Sequence, residues 1–504
     1  MTTHNPVSTS PVLTDHRYVC MGFLLLGLGH LIPWVSIVAA IDWWHYIYRE
    51  HEHTADSIEY NLSVVYHSSL FVSMLSSTIY TAMQHRYKQS IQSANSLHST
   101  INIIRTSFTI MLLSLLSILS FTWYTNTWLL LLLTGIIGFS EGVVRCEIYS
   151  MTAKIRTTDY TTSLMIGHTV AGILTCILRV TTKLIFHHES GSINGLYQSV
   201  VVYFVTAACI LLLSIYIISK LSTNQLLRHE LAIDHANTND NNKSDTTVID
   251  EQSPLLNDRS LPNNNHNNTS IDVSNDDTDT TYVTSQHMTV YHIYRLFWQS
   301  SVSVLINFGT TMSCYPGLIT SIHTLSHYFT GGWYSIILIS LYNVGDLIGR
   351  VLCLSKRFMI QSTNILTILI ITRLFTMVPL FVIHIILKQS STADEYIFSS
   401  DIISYVLVYI FGLSNGYLGT SGIIHAPVEV RAALTRDSLN INTLNKYSMA
   451  SQHVNKFTDP SDSISGTQQL SFALTFVGRT MALSLCFGTV LGAYIGLILK
   501  YIIS

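Results

Sequence analysis

Two pairs of opposite charges sit where apolar residues should exclude them. Asp346 and Arg350 lie four residues apart inside the hydrophobic run Ile336 to Leu354, and Glu141 and Arg145, followed closely by Glu147, lie inside the run Trp128 to Thr152. At 3.6 residues per turn, each pair shares one helix face. A charge at the bilayer centre costs about 2.5–3.5 kcal/mol on insertion scales, so these groups face a partner, a cavity or a substrate. A carboxylate accepts hydrogen bonds and a guanidinium donates them, so such a pair supplies both halves of a polar clamp. The competing reading is that each pair neutralises itself at i,i+4 spacing and ties its helix to its neighbours, which also lowers the desolvation penalty.

The elements that must hold these charges are those of an all-α integral membrane protein. Of 504 residues, 48% are hydrophobic and only 11% charged, well below the ~25% charged of soluble domains, and mean hydropathy is +0.37. Eleven stretches are long and apolar enough to cross a bilayer as helices. They run Tyr18 to Ile41, Asn61 to Ala82, Ile101 to Trp123, Trp128 to Thr152, Thr161 to Phe186, Leu196 to Lys220, Tyr291 to Thr311, Trp333 to Leu354, Asn364 to Leu387, Ile402 to Ile424 and Leu470 to Ile498. The first is too long for a signal-peptide core and reads as a retained span. Between the sixth and seventh, Asn224 to Gln286 is rich in Asn, Asp, Ser and Thr, the composition of a disordered linker. The expected organisation is a cytosolic tail over 1–17, a six-helix bundle over 18–220, a cytosolic linker over 221–288 and a five-helix bundle over 289–504.

Basic residues orient the bundle. With the N-terminus in the cytosol, inner segments carry Arg17, Arg86, Lys88, Lys154, Arg156, Lys220, Arg228, Lys356, Arg357, Arg431 and Arg436, while the first outer loop is acidic through Glu50, Glu52, Asp56 and Glu59. That is the positive-inside bias, and an odd number of spans then leaves the C-terminus outside. A net charge of −3 gives no sign of a nucleic-acid partner.

Several motifs resemble those of one family. Gly27-Leu28-Gly29-His30-Leu31-Ile32-Pro33-Trp34 in the first span resembles the Leu-Gly-Leu-Gly-x-Leu-x-Pro-Trp signature of the equilibrative nucleoside transporters. Asn343-Val344-Gly345-Asp346-Leu347-Ile348-Gly349-Arg350 matches the family's Asn-x-x-Asp-x-x-Gly-Arg motif of the eighth span. Ser414-Asn415-Gly416-Tyr417-Leu418 in the tenth, and Gly488 with Gly492 in the eleventh, follow in order. Arg179-Val180-Thr181-Thr182-Lys183 resembles the Arg-x-x-Thr-Lys ending common in protozoan and plant members. The resemblance implies a major-facilitator-like fold with one helix missing, in which six- and five-helix bundles rock about a central site. It implies that Trp34, with Leu31 of the same signature, lines the cavity, and that Asn343, Asp346 and Arg350 form a sugar-binding and gating face.

Glu141 departs from the mammalian pattern, where a Gln precedes this Gly142. A Gln both donates and accepts, whereas an ionised Glu only accepts, so Glu141 is expected to contact the nucleobase or to titrate during transport; an internal pair with Arg145 is the alternative. His30 and His67 are the preferred gating or coupling histidines, because they accompany the family's cavity-lining spans, while His168, His384 and His425 are expected chiefly to bond nearby backbone. No histidines share a helix at ligand spacing, so neither a metal nor a cofactor is expected. Arg179 reads equally as snorkelling beside Lys183 and as facing the pore. The seven cysteines include no close-spaced pair on an outer loop and read as packing residues. Pro33 and Pro316 are expected to bend their helices.

The function expected is a monomeric carrier, not an enzyme, moving nucleosides, with nucleobases as the alternative substrate class, by alternating access. No phosphate-binding loop, His-Glu-x-x-His or Gly-x-Ser-x-Gly is present. A proton-coupled symporter and a non-transporting sensor on the same scaffold are the alternatives. The plasma membrane is the default location; the linker sequence Glu251-Gln252-Ser253-Pro254-Leu255-Leu256 resembles an acidic dileucine signal that would favour an endosomal or vacuolar membrane, and Asn61-Leu62-Ser63 is an outer glycosylation sequon.

Overall fold

A backbone in lipid must satisfy its own hydrogen bonds, so the apolar runs become helices. The computed structural model describes residues 11–48, 58–87, 96–121, 126–186, 193–228, 231, 290–322, 333–355, 357–390, 401–451 and 461–503. Eleven of its helices are long and apolar enough to cross a membrane. They are α1 (Pro11–Ala39), α2 (Ile58–Tyr87), α3 (Ser96–Ser120), α4 (Thr127–Lys154), α5 (Asp159–Phe186), α6 (Ile193–Leu221), α7 (Val290–Cys314), α8 (Trp333–Leu352), α9 (Thr363–Ser390), α10 (Asp401–Ser451) and α11 (Ser461–Ile503). The segment after Ile424, expected as inner loop, instead continues α10 as helix to Ser451, because hydropathy marks only the part of a helix that lies in lipid. Pro33 lies within α1, whereas α7 stops at Cys314 and Pro316 precedes a one-turn helix, Gly317–Thr320. Glu50, Glu52, Asp56, the dileucine-like sequence at Glu251 to Leu256 and most of the linker, 232–289, lie outside the described residues.

The helices pack with an approximate twofold repeat. In the first half α1 packs on α5 and α2 on α4; in the second, α7 packs on α11 and α8 on α10. The halves meet through equivalent pairs, α2 with α11 and α5 with α8. In the first bundle α6 also packs on α1 and α3. Among the described residues no span of the second bundle takes the corresponding place, and α9 is the least buried span at 22%.

Backbone contact on glycine holds α8 to α10. A Cβ on Gly416 would overlap the Asp346 carbonyl oxygen, and one on Gly349 would overlap that of Leu413. The turn carrying Asp346 is thus set rigidly beside Asn415. Gly416→Ala is expected to force these backbones apart and destabilise the protein by about 1–3 kcal/mol, read as a lower thermal midpoint of the detergent-purified protein. Gly317→Ala is the control, since nothing lies within 4 Å of a Cβ there; equal midpoints for the two variants would contradict this account of the seam.

Candidate functional site

The α8 motif faces the other bundle. Asn343, Asp346 and Arg350 are spaced by three and four residues and form one stripe on α8; Met165, Thr169, Gly172 and Cys176 form the matching stripe on α5. The stripes run antiparallel and meet rung by rung. Arg350 Nη1 donates to the Met165 carbonyl at 2.8 Å, Thr169 Oγ1 donates to Asp346 Oδ2 at 2.5 Å, and Asn343 Nδ2 reaches Cys176 Sγ at 3.4 Å. Gly172 makes room for Asn343, whose Oδ1 would lie 2.6 Å from a Cβ there. Towards the C-terminal end of α5 Lys183 lies over the Trp333 ring, 5.0 Å from its centroid.

Asp346 is 4% exposed and both of its carboxylate oxygens are hydrogen-bonded. Oδ2 also accepts from Arg350 Nε at 2.8 Å, and Oδ1 accepts from Asn415 Nδ2 at 2.7 Å. The i,i+4 pair that spacing suggested is formed, and it bonds three helices, α5, α8 and α10, at one point. Arg350 and Asn415 share the bundle of Asp346; Thr169 does not.

The second charged turn is enclosed within the first bundle. Glu141 is fully buried, and accepts from Arg145 on its own helix and from the Tyr66 hydroxyl of α2. His30 of α1 places Nδ1 3.4 Å from Glu141 Oε1, and its Nε2 bonds Nε2 of His168 on α5. Trp34 stacks on Tyr66 with centroids 4.0 Å apart and planes 7° from parallel, and His67 meets both rings edge-on. Glu141 therefore connects to the Trp34 platform through Tyr66. Leu31 is half-buried and packs against the same core. His168, expected to bond backbone, bonds His30 instead: a tertiary contact across 138 residues leaves no periodic trace in either helix.

Arg179 is half-buried and interacts electrostatically with Tyr315 and Cys176. Tyr315 in turn stacks on Tyr342, centroids 4.1 Å apart, beside Asn343.

Three functional candidates were not found by reading the sequence. Arg479 of α11 crosses to the first bundle, donating to Glu147 Oε1 at 2.5 Å, to the Ser77 carbonyl at 3.2 Å and to the Thr81 hydroxyl. Tyr66 completes the Glu141 cluster. Arg373 of α9 is buried among polar groups of α7 and α10. The signal available for both arginines was the same as for Asp346, a charge inside an apolar run. Among the described residues no group of three or more His, Cys, Asp or Glu side chains is placed to hold a metal.

Comparison with known proteins places the chain in a family. The sequence model of the family described as Nucleoside transporter matches residues 131–443. The chain is 24% identical over 413 residues to equilibrative nucleotide transporter 6 of Arabidopsis thaliana, covering 80% of this chain and 85% of that protein. It is 21% identical over 461 residues to equilibrative nucleoside transporter 4 of Danio rerio, covering 85% and 81%. Over a shorter stretch of 138 residues it is 30% identical to nucleoside transporter 2 of Leishmania donovani, covering 27% and 24%. Among solved structures, the proton:xylose symporter XylE of the major facilitator superfamily aligns over 98% of this chain and 95% of its own with a TM-score of 0.50 at 9% identity. That last likeness identifies the fold alone.

The Arg479–Glu147 pair can be tested without any substrate. Arg479→Gln leaves a buried carboxylate without its guanidinium, expected to destabilise this conformation by about 3–5 kcal/mol, and adding Glu147→Gln should restore most of the loss. Thermal unfolding of the purified variants reads both; a double variant no better than the single would remove the pair as a clasp.

Proposed function

The chain belongs to the nucleoside transporter family, and from that premise we propose that it carries nucleosides across a membrane by alternating access, with Asp346 and Arg350 as the sugar-recognising pair. One observation carries this reading: the bonds of that turn divide between groups that move with it and groups that do not. Arg350 and Asn415 belong to the bundle of Asp346, while the Thr169 hydroxyl and the Met165 carbonyl belong to the other. When the bundles rock apart, Asp346 Oδ2 loses a donor and Arg350 Nη1 loses an acceptor, on one helix face. A ribose diol both donates and accepts, so it replaces the two lost partners at once. The substrate-free protein closes by supplying its own hydroxyl in the sugar's place.

The Trp34–Tyr66 stack offers an aromatic wall to the base, with Glu141 behind Tyr66 and Asn343 towards the outer side of the sugar pair. His30, Arg145 and His67 orient this wall, and Arg179 lies on the path outward. The bundle works as a monomer, in the plasma membrane, with an endosomal or vacuolar membrane as the alternative.

A second reading, proton-coupled uptake, is favoured by the buried chain of Glu141, His30 and His168, enclosed by Arg145, Tyr66 and Tyr149. Uptake of a radiolabelled nucleoside and nucleobase panel at two external pH values decides between them. Rates that rise at acid pH in the wild type and lose that dependence in Glu141→Gln support coupling; pH-independent transport in both excludes it. A protein that shows no counterflow in proteoliposomes is a sensor and no carrier.

Two substitutions test the sugar site. Asp346→Asn and Arg350→Lys should each abolish most uptake with surface expression intact, since lysine cannot reproduce the guanidinium's fork. Thr169→Val removes the competing hydroxyl without removing the site. A hydrogen bond to a charged group contributes about 1.5–3 kcal/mol, so KM is expected to fall about tenfold or more in initial-rate uptake; an unchanged or higher KM would mean that Thr169 does not compete with substrate.

A further inference from the structure

Arg373 is the most fully committed cation in the second bundle. It lies on α9, the helix most exposed to lipid, yet is itself only 4% exposed. Every contact it makes is to a neutral group. Nε donates to Ser414 Oγ at 2.9 Å; Nη1 donates to the Asn307 carbonyl at 3.0 Å and to its side-chain Oδ1 at 2.9 Å; Nη2 donates to Thr311 Oγ1 at 3.0 Å and to the Phe411 carbonyl at 3.3 Å. Its guanidinium carbon stands 4.5 Å from the Phe411 ring centroid. A buried charge without a counter-ion is expensive, and hydrogen bonds through Asn307 and Asn415 connect this one to Asp346.

The groups between them transmit a direction. Because Arg373 donates to Asn307 Oδ1, the Asn307 amide must turn its NH2 the other way, and Nδ2 donates to Asn415 Oδ1 at 3.1 Å. Thr311 Oγ1 lies 2.9 Å from the Asn307 carbonyl and 2.6 Å from Asn415 Oδ1 but has a single proton to give. The contact to Asn415 is the shorter of the two, and Arg373 also donates to the Asn307 carbonyl, so the proton goes to Asn415. With its Oδ1 taken by two donors, Asn415 has only its NH2 to present, and Nδ2 donates to Asp346 Oδ1 at 2.7 Å. The opposite amide orientation would set an oxygen against a carboxylate.

We propose that Arg373 is a positioning residue for the sugar site: through Asn307, Thr311 and Asn415 it pins one oxygen of Asp346, so that the other is presented to the substrate. The inference rests on the nucleoside-carrier reading and adds to it a residue that need not touch substrate.

The test compares a nucleoside with its 2′,3′-dideoxy analogue, which lacks the 2′,3′-diol and keeps the 5′-hydroxyl. In Arg373→Lys, KM for the nucleoside should rise about tenfold or more, while uptake of the dideoxy analogue at matched surface expression stays at its wild-type level. Asn415→Ala should show the same selective loss, and the double variant should be no worse than either single, since both break one relay. A purely structural role would reduce both substrates alike through the maximal rate, and that result, or a wild-type KM in Arg373→Lys, overturns the proposal. Should Arg373→Lys fail to reach the membrane, Thr311→Val, one step along the relay, carries the same comparison. A cryo-EM structure of the variant separates the two hypotheses. An Asp346–Asn415 bond kept at its wild-type distance refutes the relay whatever the substrate, whereas a wild-type protein indifferent to the sugar hydroxyls refutes the sugar reading alone.

Discussion

A carboxylate buried in a membrane protein must be given hydrogen-bond donors, and the arrangement of this molecule turns on where Asp346 finds them. Three helices supply them: Arg350 from α8, Asn415 from α10 and Thr169 from α5. Two travel with the carboxylate and one does not. The same constraint that makes the site affordable in lipid therefore makes it breakable along one seam, and a solute that offers a hydroxyl can stand in for the partner that leaves. The glycine contacts between α8 and α10 serve this site, because they hold Asp346 and Asn415 within hydrogen-bond reach.

The twofold repeat gives the molecule two interfaces of the same origin and different chemistry. Between α5 and α8 the halves meet through neutral donors and acceptors around one ion pair; between α11 and the α2 and α4 helices they meet through the Arg479–Glu147 pair. Rocking bundles require interfaces that part without stranding charges. In the first, the ion pair lies wholly on α8 and stays together when the halves separate. In the second, the ions belong to opposite halves, so opening there must bring water or solute to both.

Helix α5 joins the two buried carboxylates. Its consecutive residues His168 and Thr169 point to different clusters, His168 to His30 beside Glu141 and Thr169 to Asp346. A shift of α5 that releases Asp346 also moves the histidine pair under the Trp34–Tyr66 stack. The two buried carboxylate clusters are thus mechanically linked through one helix turn.

What the sequence determined by itself was everything that depends on periodicity and on the cost of burying charge. Eleven helices appear within a few residues of the apolar runs, and the Asp346–Arg350 and Glu141–Arg145 pairs form as their spacing requires. Where the lipid signal ended the reading failed, as in the extension of α10 to Ser451. What only the tertiary structure decided was which groups meet across long separations. Thr169 is an ordinary helical threonine until it is found 177 positions from the aspartate it bonds, and His168 an ordinary histidine until it meets His30. Arg373 was visible as a charge in an apolar run, yet its orientation of Asn307 and Asn415 depends on helices brought together from three parts of the chain. Spacing along a helix fixes the neighbours of a residue on its own helix; hydrogen bonding between helices depends on their mutual rotation and depth, which no single helix encodes.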